Sequence, residues 1–232
     1  MLTLNYFNGR GLAETSRLIL AVADKKYNDF RYPLEVIDWK TYNMVREEFD
    51  ADKASGKLWR SMGKLPFLEV DGKVISQSKA IERYLARKYD LMGENDEQAA
   101  LIDSYCEYIR DFKTAYQAVR KAENKEEAMK KWFGETLPEK LCSFDKILCE
   151  NTDFQNISSK IKSVLETERF SVGKKLSLAD IVIYSFLVDF FDNKEGVKKS
   201  FENCKMLNNI VNTVGENRKI KKWVENRIKT VF

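Results

Sequence analysis

Apolar and polar residues alternate singly from Leu2 to Phe7, with Leu2, Leu4 and Tyr6 on one face, which predicts a short strand. Gly9 and Gly11 follow as turn residues. From Ala13 to Ala23 the period lengthens, and Ala13, Leu18, Ile19 and Leu20 gather on a helix with polar Glu14, Ser16 and Arg17 between them. Tyr27 to Leu34 returns to strand, with Pro33 marking an edge or an end. Strand, helix, strand is the opening of a parallel unit. Asp38 to Lys57 is charged and weakly periodic, and predicts a helix with an irregular extension closed by Gly56. Next, Phe67 to Val70 and Lys73 to Ile75 flank Asp71-Gly72, a hairpin signal because a type I′ turn needs positive φ at both central positions. A helix over Lys79 to Tyr89 carries Ala80, Ile81, Tyr84, Leu85 and Tyr89 at helical spacing.

Gly93 and the charged Glu94-Asn95-Asp96 read as a domain boundary. Beyond Glu97 the pattern is helical almost throughout, so the expected organisation is an α/β domain over residues 1–88 and an all-α domain over 95–232. In the second domain Ser177 has the signature of an N-cap, with Asp180 at N3 and Leu176 placed to face Ile181. Tyr105, Tyr108, Phe112 and Tyr116 form an aromatic stripe that reads as core or interface.

Composition narrows the chemistry. The 232 residues are 44% hydrophobic and 33% charged, enough apolar material for a packed core. Lysine and arginine number 40 against 36 acidic residues, with the signs interleaved, which is too even for a nucleic-acid footprint. The cationic C-terminus, Arg218 to Lys229 around Ile220, Trp223 and Ile228, reads as the polar face of a last amphipathic helix. Four cysteines without metal-site spacing fit a reducing cytoplasm, and neither a secretory leader nor a membrane span is expected. With no histidine, Ser-His-Asp and Cys-His catalysis and His-ligated metal are excluded. Chemistry near neutral pH falls to Tyr, Cys, Lys, carboxylates or backbone groups.

Several residues could carry such chemistry. Tyr6 is close enough to the turn for its hydroxyl to meet a ligand, although a strand tyrosine is more often packing. A hydroxyl bonded to a sulfur favours the thiolate and so activates it. Leu65-Pro66 precedes an apolar strand, where a cis peptide would leave the Leu65 backbone open to an extended peptide; spacing leaves cis and trans both open. Gln77-Ser78 opens a helix, either as an ordinary N-cap or as a carboxylate site.

Together NYFNGRGLAE, GKLPFLEVDG, SQSKAIERYLARKYDL and GKKLSLADI stand in the order found in cytosolic glutathione transferases. The chain resembles that family over nearly its whole length, in particular the sigma-like class that includes glutathione-dependent prostaglandin D synthase. The resemblance implies a thioredoxin-like domain followed by an all-helical one, in a cytoplasmic homodimer that uses glutathione as co-substrate with an apolar electrophile and no metal or other cofactor. Tyr6 matches the catalytic tyrosine that holds the glutathione thiolate. Pro66 matches the family's cis-proline, with Leu65 as backbone partner of the cysteinyl unit. Gln77 and Ser78 match the pair at the γ-glutamyl group, and Lys64 a position near the glycine end. Asp111 matches the acidic residue that reaches into the partner's site.

The departures carry their own expectations. Leu12 stands where the family has an arginine lining the second-substrate pocket, so that pocket, bordered by Phe7 and Leu12, should be more apolar. Arg110 replaces an aspartate of the synthase's metal cluster, which argues against a metal site. The cation for the glycine carboxylate is Lys53 by spacing, or Trp39 takes that place by its context. A second insertion, 151–168, is either an extra helix or a loop near the pocket. Conjugation of the thiolate to apolar electrophiles, ligand carriage without turnover, and prostaglandin isomerisation are the activities compatible with this pattern.

Overall fold

The computed structural model describes residues 1–38, 43–151 and 170–230. Trp39 and nearly all of the 151–168 insertion lie outside the described residues. The chain divides into two compact units, Met1–Tyr89 with Lys222–Phe232, and Asp90–Lys221.

In the first unit, β1 (Leu2–Phe7) runs through a 3-10 turn (Gly11–Ala13) into α1 (Glu14–Val22) and β2 (Asn28–Tyr32). The hairpin β5 (Phe67–Val70) and β6 (Lys73–Ser76) leads into α3 (Ser78–Lys88). These strands form one four-stranded sheet in the order β2-β1-β5-β6. β1 is parallel to β2 and antiparallel to β5, which is antiparallel to β6. Asp71 and Gly72 both take positive φ, 48° and 76°, as the tight turn requires. Leu4 and Leu68, paired across β1 and β5, are fully buried, and α1 packs against α3. Alternation sends Phe7 and Phe67 to the opposite face. There Tyr32, Phe49, Leu58 and Phe67 form a core cluster to which Phe7, Leu65 and Val74 are added.

The stretch expected as one helix over 38–57 is different. β3 (Glu35–Asp38) and β4 (Asn43–Val45) pair antiparallel as a separate two-stranded sheet, and α2 spans only Glu47–Ala54. The β-branched pair Val36-Ile37 favours extended backbone, and exposure alternates along Glu35–Asp38 as in a half-exposed strand. The helix starts where Glu47, Glu48 and Asp50 can meet the positive end of its dipole.

Every described element of the second unit is helical: α4 (Asp96–Arg120), α5 (Lys125–Lys131), α6 (Leu137–Asn151), α7 (Leu178–Tyr184), α8 (Lys194–Ser200), α9 (Lys205–Glu216) and the start of α10 (Arg218–Asn226). Asn95 caps α4 by accepting from the Gln98 amide at 2.8 Å. The aromatic stripe of α4 is core: Tyr105 and Tyr108 meet Phe144, Phe112 meets Phe186, and Tyr116 meets Trp132 and Phe191. The expected capping box is formed by Ser177 and Asp180, and the buried Asp180 carboxylate also accepts from the Ser171 amide at 2.6 Å. The architecture is a thioredoxin-like α/β domain followed by an all-helical domain. Its last segment, from Lys222, belongs with the first unit rather than with the helices that precede it.

Candidate functional site

Strand register builds the site. Asn5 pairs with Phe67, and Phe67 with Ser76. One step beyond these paired residues, on a single line across three strand ends, stand Tyr6, Pro66 and Gln77. The Leu65-Pro66 peptide is cis. Three segments far apart in sequence therefore meet at one edge of the sheet.

At the first of them, the Leu12 amide donates to Tyr6 Oη at 3.1 Å. One lone pair of the phenol is occupied, and its own proton is left to donate elsewhere. Burial pushes the Tyr6 phenol above its ordinary value, while the Leu12 hydrogen bond and the Arg17 charge act to lower it. A phenol raised in this way keeps its proton at neutral pH and can donate a hydrogen bond. Gly11 makes this contact possible: a Cβ there would lie 2.5 Å from Tyr6 Oη, and its φ is +36°.

Beneath the ring, Arg17 is fully buried with its guanidinium carbon 6.0 Å from the Tyr6 centroid. It donates to Asp29 at 3.2 Å, to the Gly9 carbonyl, and weakly to Glu14. Its remaining terminal nitrogen is buried without a partner. Sequence periodicity had placed Arg17 and Glu14 only as polar residues between apolar ones. Every residue from Glu14 to Leu20 is buried, so the polar members of α1 need internal partners.

At the third strand end, Gln77 has φ 72° and its side chain caps nothing, so the ordinary N-cap reading does not hold here. A non-glycine residue in this region is strained, which points to a local requirement. The first turn of α3, opening at Ser78, has no side-chain cap, and the Ser76 hydroxyl just before it is buried and unpartnered.

Lys53, on α2, lays its methylene stem along Gly63, whose Cβ position is 3.4 Å from Lys53 Cε. That sets a cation beside the Gly63-Lys64 segment leading into Leu65-Pro66. Lys64 is exposed, Pro66 is buried, and Leu65 packs on the aromatic cluster. Phe7 lies in that same cluster, edge-on to Phe49 at 5.2 Å, and its ring also meets the Tyr6 ring edge-on at 5.6 Å. Leu12 is 55% exposed. Asp111 is exposed on α4 in the second unit. Among the described residues no three His, Cys, Asp or Glu side chains converge as metal ligands, and no helix is long and apolar enough to cross a membrane.

A thioredoxin-like domain with a phenol, a cis-proline and an uncapped helix start on one edge is followed in the chain by an all-helical domain. The glutathione S-transferase N-terminal domain family matches residues 2–87, and the corresponding C-terminal domain family matches residues 110–227. The chain belongs to the glutathione S-transferase family. It is 29% identical to glutathione S-transferase 3 of Caenorhabditis elegans, over 99% of this chain and 98% of the relative. It is 38% identical to the hematopoietic prostaglandin D synthase of Gallus gallus, over 62% of this chain and 65% of that one. Among solved structures, a monomeric glutathione S-transferase of the hookworm Necator americanus superposes with a TM-score of 0.75 at 26% identity, covering 100% and 99% of the two chains. A Nu-class enzyme from Haemonchus contortus gives 0.73 at 29% identity, covering 100% and 98%. These neighbours establish the family without singling out the sigma-like class.

Proposed function

We propose that this protein is a glutathione transferase in which Tyr6 holds the bound thiol as thiolate for attack on apolar electrophiles. The observation that carries the reading is the line Tyr6, Pro66, Gln77 set by the strand register. Reduced glutathione would lie along Leu65-Pro66, its γ-glutamyl end at Gln77 and Ser78 and its glycine carboxylate toward Lys53, with Lys64 nearby. Tyr6, protonated and already accepting from Leu12, donates to the sulfur and lowers the thiol pKa. With an aryl chloride the thiolate forms the new carbon–sulfur bond, chloride departs, and the thiol proton has gone to solvent. The exposed Leu12 borders the electrophile. Phe7, whose ring meets Tyr6 edge-on, borders it beside Leu12. Asp111 would complete a partner's site in a cytoplasmic homodimer; the hookworm structure is described as monomeric, so sedimentation of this chain tests that point.

The test combines calorimetry of reduced glutathione with conjugation of chlorodinitrobenzene by wild type and Tyr6→Phe. The variant should bind glutathione within about twofold of wild type and lose about 100-fold in kcat, the usual cost of one donor to developing charge. Thiolate absorbance of the bound peptide should appear at neutral pH only in wild type. Equal, near-background rates in both proteins would favour ligand carriage without turnover. Absence of binding at millimolar peptide would end the proposal altogether. The prostaglandin D synthase match favours one further assay, product analysis with an endoperoxide substrate, although Leu12 supplies no charge to such a ligand.

A further inference from the structure

Two sulfurs in the helical unit stand close together. Cys142 is exposed on α6, and Cys204 is 1% exposed at the N-cap of α9. Their Sγ atoms are 3.5 Å apart. The Cys204 thiol does not cap α9. That work is done by Asp145, three residues beyond Cys142, whose carboxylate accepts from the Leu207 amide at 2.8 Å. Asp145 thus fixes one turn of α6 against the start of α9 and holds the thiols facing each other on the next. Burial, and then the hydrogen bond to Cys142, pushes the Cys204 thiol up to about 12. The exposed Cys142 sulfur is the one that an oxidant in solution can reach.

We propose that Cys142 and Cys204 form a modification site, a thiol pair that a hydroperoxide closes to a disulfide between α6 and α9. In the first step the Cys142 thiolate attacks the peroxide's terminal oxygen. The O–O bond breaks, an alcohol leaves after taking up a proton, and Cys142 becomes a sulfenic acid. In the second, Cys204 Sγ attacks Cys142 Sγ as its proton passes to the departing hydroxyl, and the S–O bond breaks. Water departs with the Cys204 proton. Two thiols and one hydroperoxide give one disulfide, one alcohol and one water. The approach needed is about 1.5 Å from the present separation to bonding distance. Exposure decides the order, since the oxidant meets Cys142 while Cys204 is reached only by its neighbour. Cys149 is also exposed, two turns along α6, and is the competing partner to be separated by experiment.

The full chain, reduced and desalted, is treated with tert-butyl hydroperoxide, alkylated, digested and analysed by mass spectrometry. The expected product is a Cys142–Cys204 linked peptide lighter by two hydrogens, reversed by dithiothreitol and unchanged in Cys149→Ser. The oxidised chain should melt about 5 °C higher, since the bond closes a long loop. In Cys204→Ser, dimedone should capture a Cys142 sulfenic acid, while in Cys142→Ser, Cys204 should stay reduced. A Cys142–Cys149 or intermolecular bond, or Cys142 passing to sulfinic acid with no link in wild type, would overturn the proposal. The wild-type peptide map decides even if a serine variant fails to fold.

Discussion

The indole Nε1 of Trp223 donates to Glu14 Oε1 at 2.8 Å, joining the last helix to the first across 209 positions of sequence. Arg227 donates to the same oxygen at 2.7 Å, and Arg17 approaches the other at 3.5 Å. The Glu14 side chain is 3% exposed, so these partners replace its hydration. This contact explains why the segment from Lys222 belongs to the thioredoxin-like unit. Glu14→Gln keeps the shape but leaves buried cations short of their anion, and should cost about 3 kcal/mol in urea unfolding. Trp223→Phe removes one hydrogen bond and should cost about 1 kcal/mol. A Glu14→Gln protein with the wild-type midpoint would show that the latch contributes nothing.

What the sequence disclosed was local. The β1 alternation, the Asp71-Gly72 turn and the Ser177 cap each lie within a few residues, so pattern and turn chemistry were enough to read them. Tyr6, Pro66 and Gln77 could be named individually, yet only pairing register shows that they share a line. Glu14 and Arg17 read only as polar residues between apolar ones because their partners Arg227, Trp223 and Asp29 come from elsewhere in the chain. The β3–β4 hairpin was hidden for another reason. Its strands are short and half exposed, and a charged stretch with few apolar anchors carries too weak a period to separate strand from helix.

Gly11 and Gly56 offer a matched comparison, since both have positive φ. At Gly56 an added Cβ meets nothing within 4 Å, so Gly56→Ala should lose about 1 kcal/mol of stability through backbone strain alone and keep full activity. At Gly11 the same methyl group would press on Tyr6 Oη. Gly11→Ala should therefore lower kcat about tenfold or more while glutathione KM stays within about twofold, because displacing a donor by an ångström is enough. Equal activity in the two variants would show that the Tyr6–Leu12 geometry is immaterial to turnover.

Stability should fall under alkaline conditions through the tyrosines. Tyr6, Tyr27 and Tyr32 are each raised above the ordinary phenol value of 10.0, with burial the leading cause. Between that value and the folded one the native chain holds more protons than the unfolded chain, so unfolding free energy declines as pH climbs. The contribution is fully present below about pH 10 and is lost above it. Tyr27 isolates the effect, since its buried hydroxyl has no partner. Urea midpoints measured at about pH 8 and about pH 10.5 should lie closer together in Tyr27→Phe than in wild type. Identical pH dependence in the two would exclude Tyr27 from the alkaline transition.

Lys53 should separate binding from chemistry. Its stem is held along Gly63 while the ammonium stays in solvent, so the cation would attract a carboxylate without touching the sulfur. An interaction made equally in ground and transition states raises KM when removed and leaves kcat alone. Lys53→Met retains the methylene packing and deletes the charge; glutathione KM should rise about fivefold to tenfold with kcat unchanged. Because the contact is solvent-exposed, added salt should weaken wild-type binding toward the variant's and barely affect the variant. Tyr6→Phe should show the converse split, lower kcat at nearly constant KM, so the two variants divide the site into a peptide-holding part and a sulfur-activating part. If Lys53→Met lowered kcat at constant KM, or kept the wild-type salt response, the glycine carboxylate would be held by some other group.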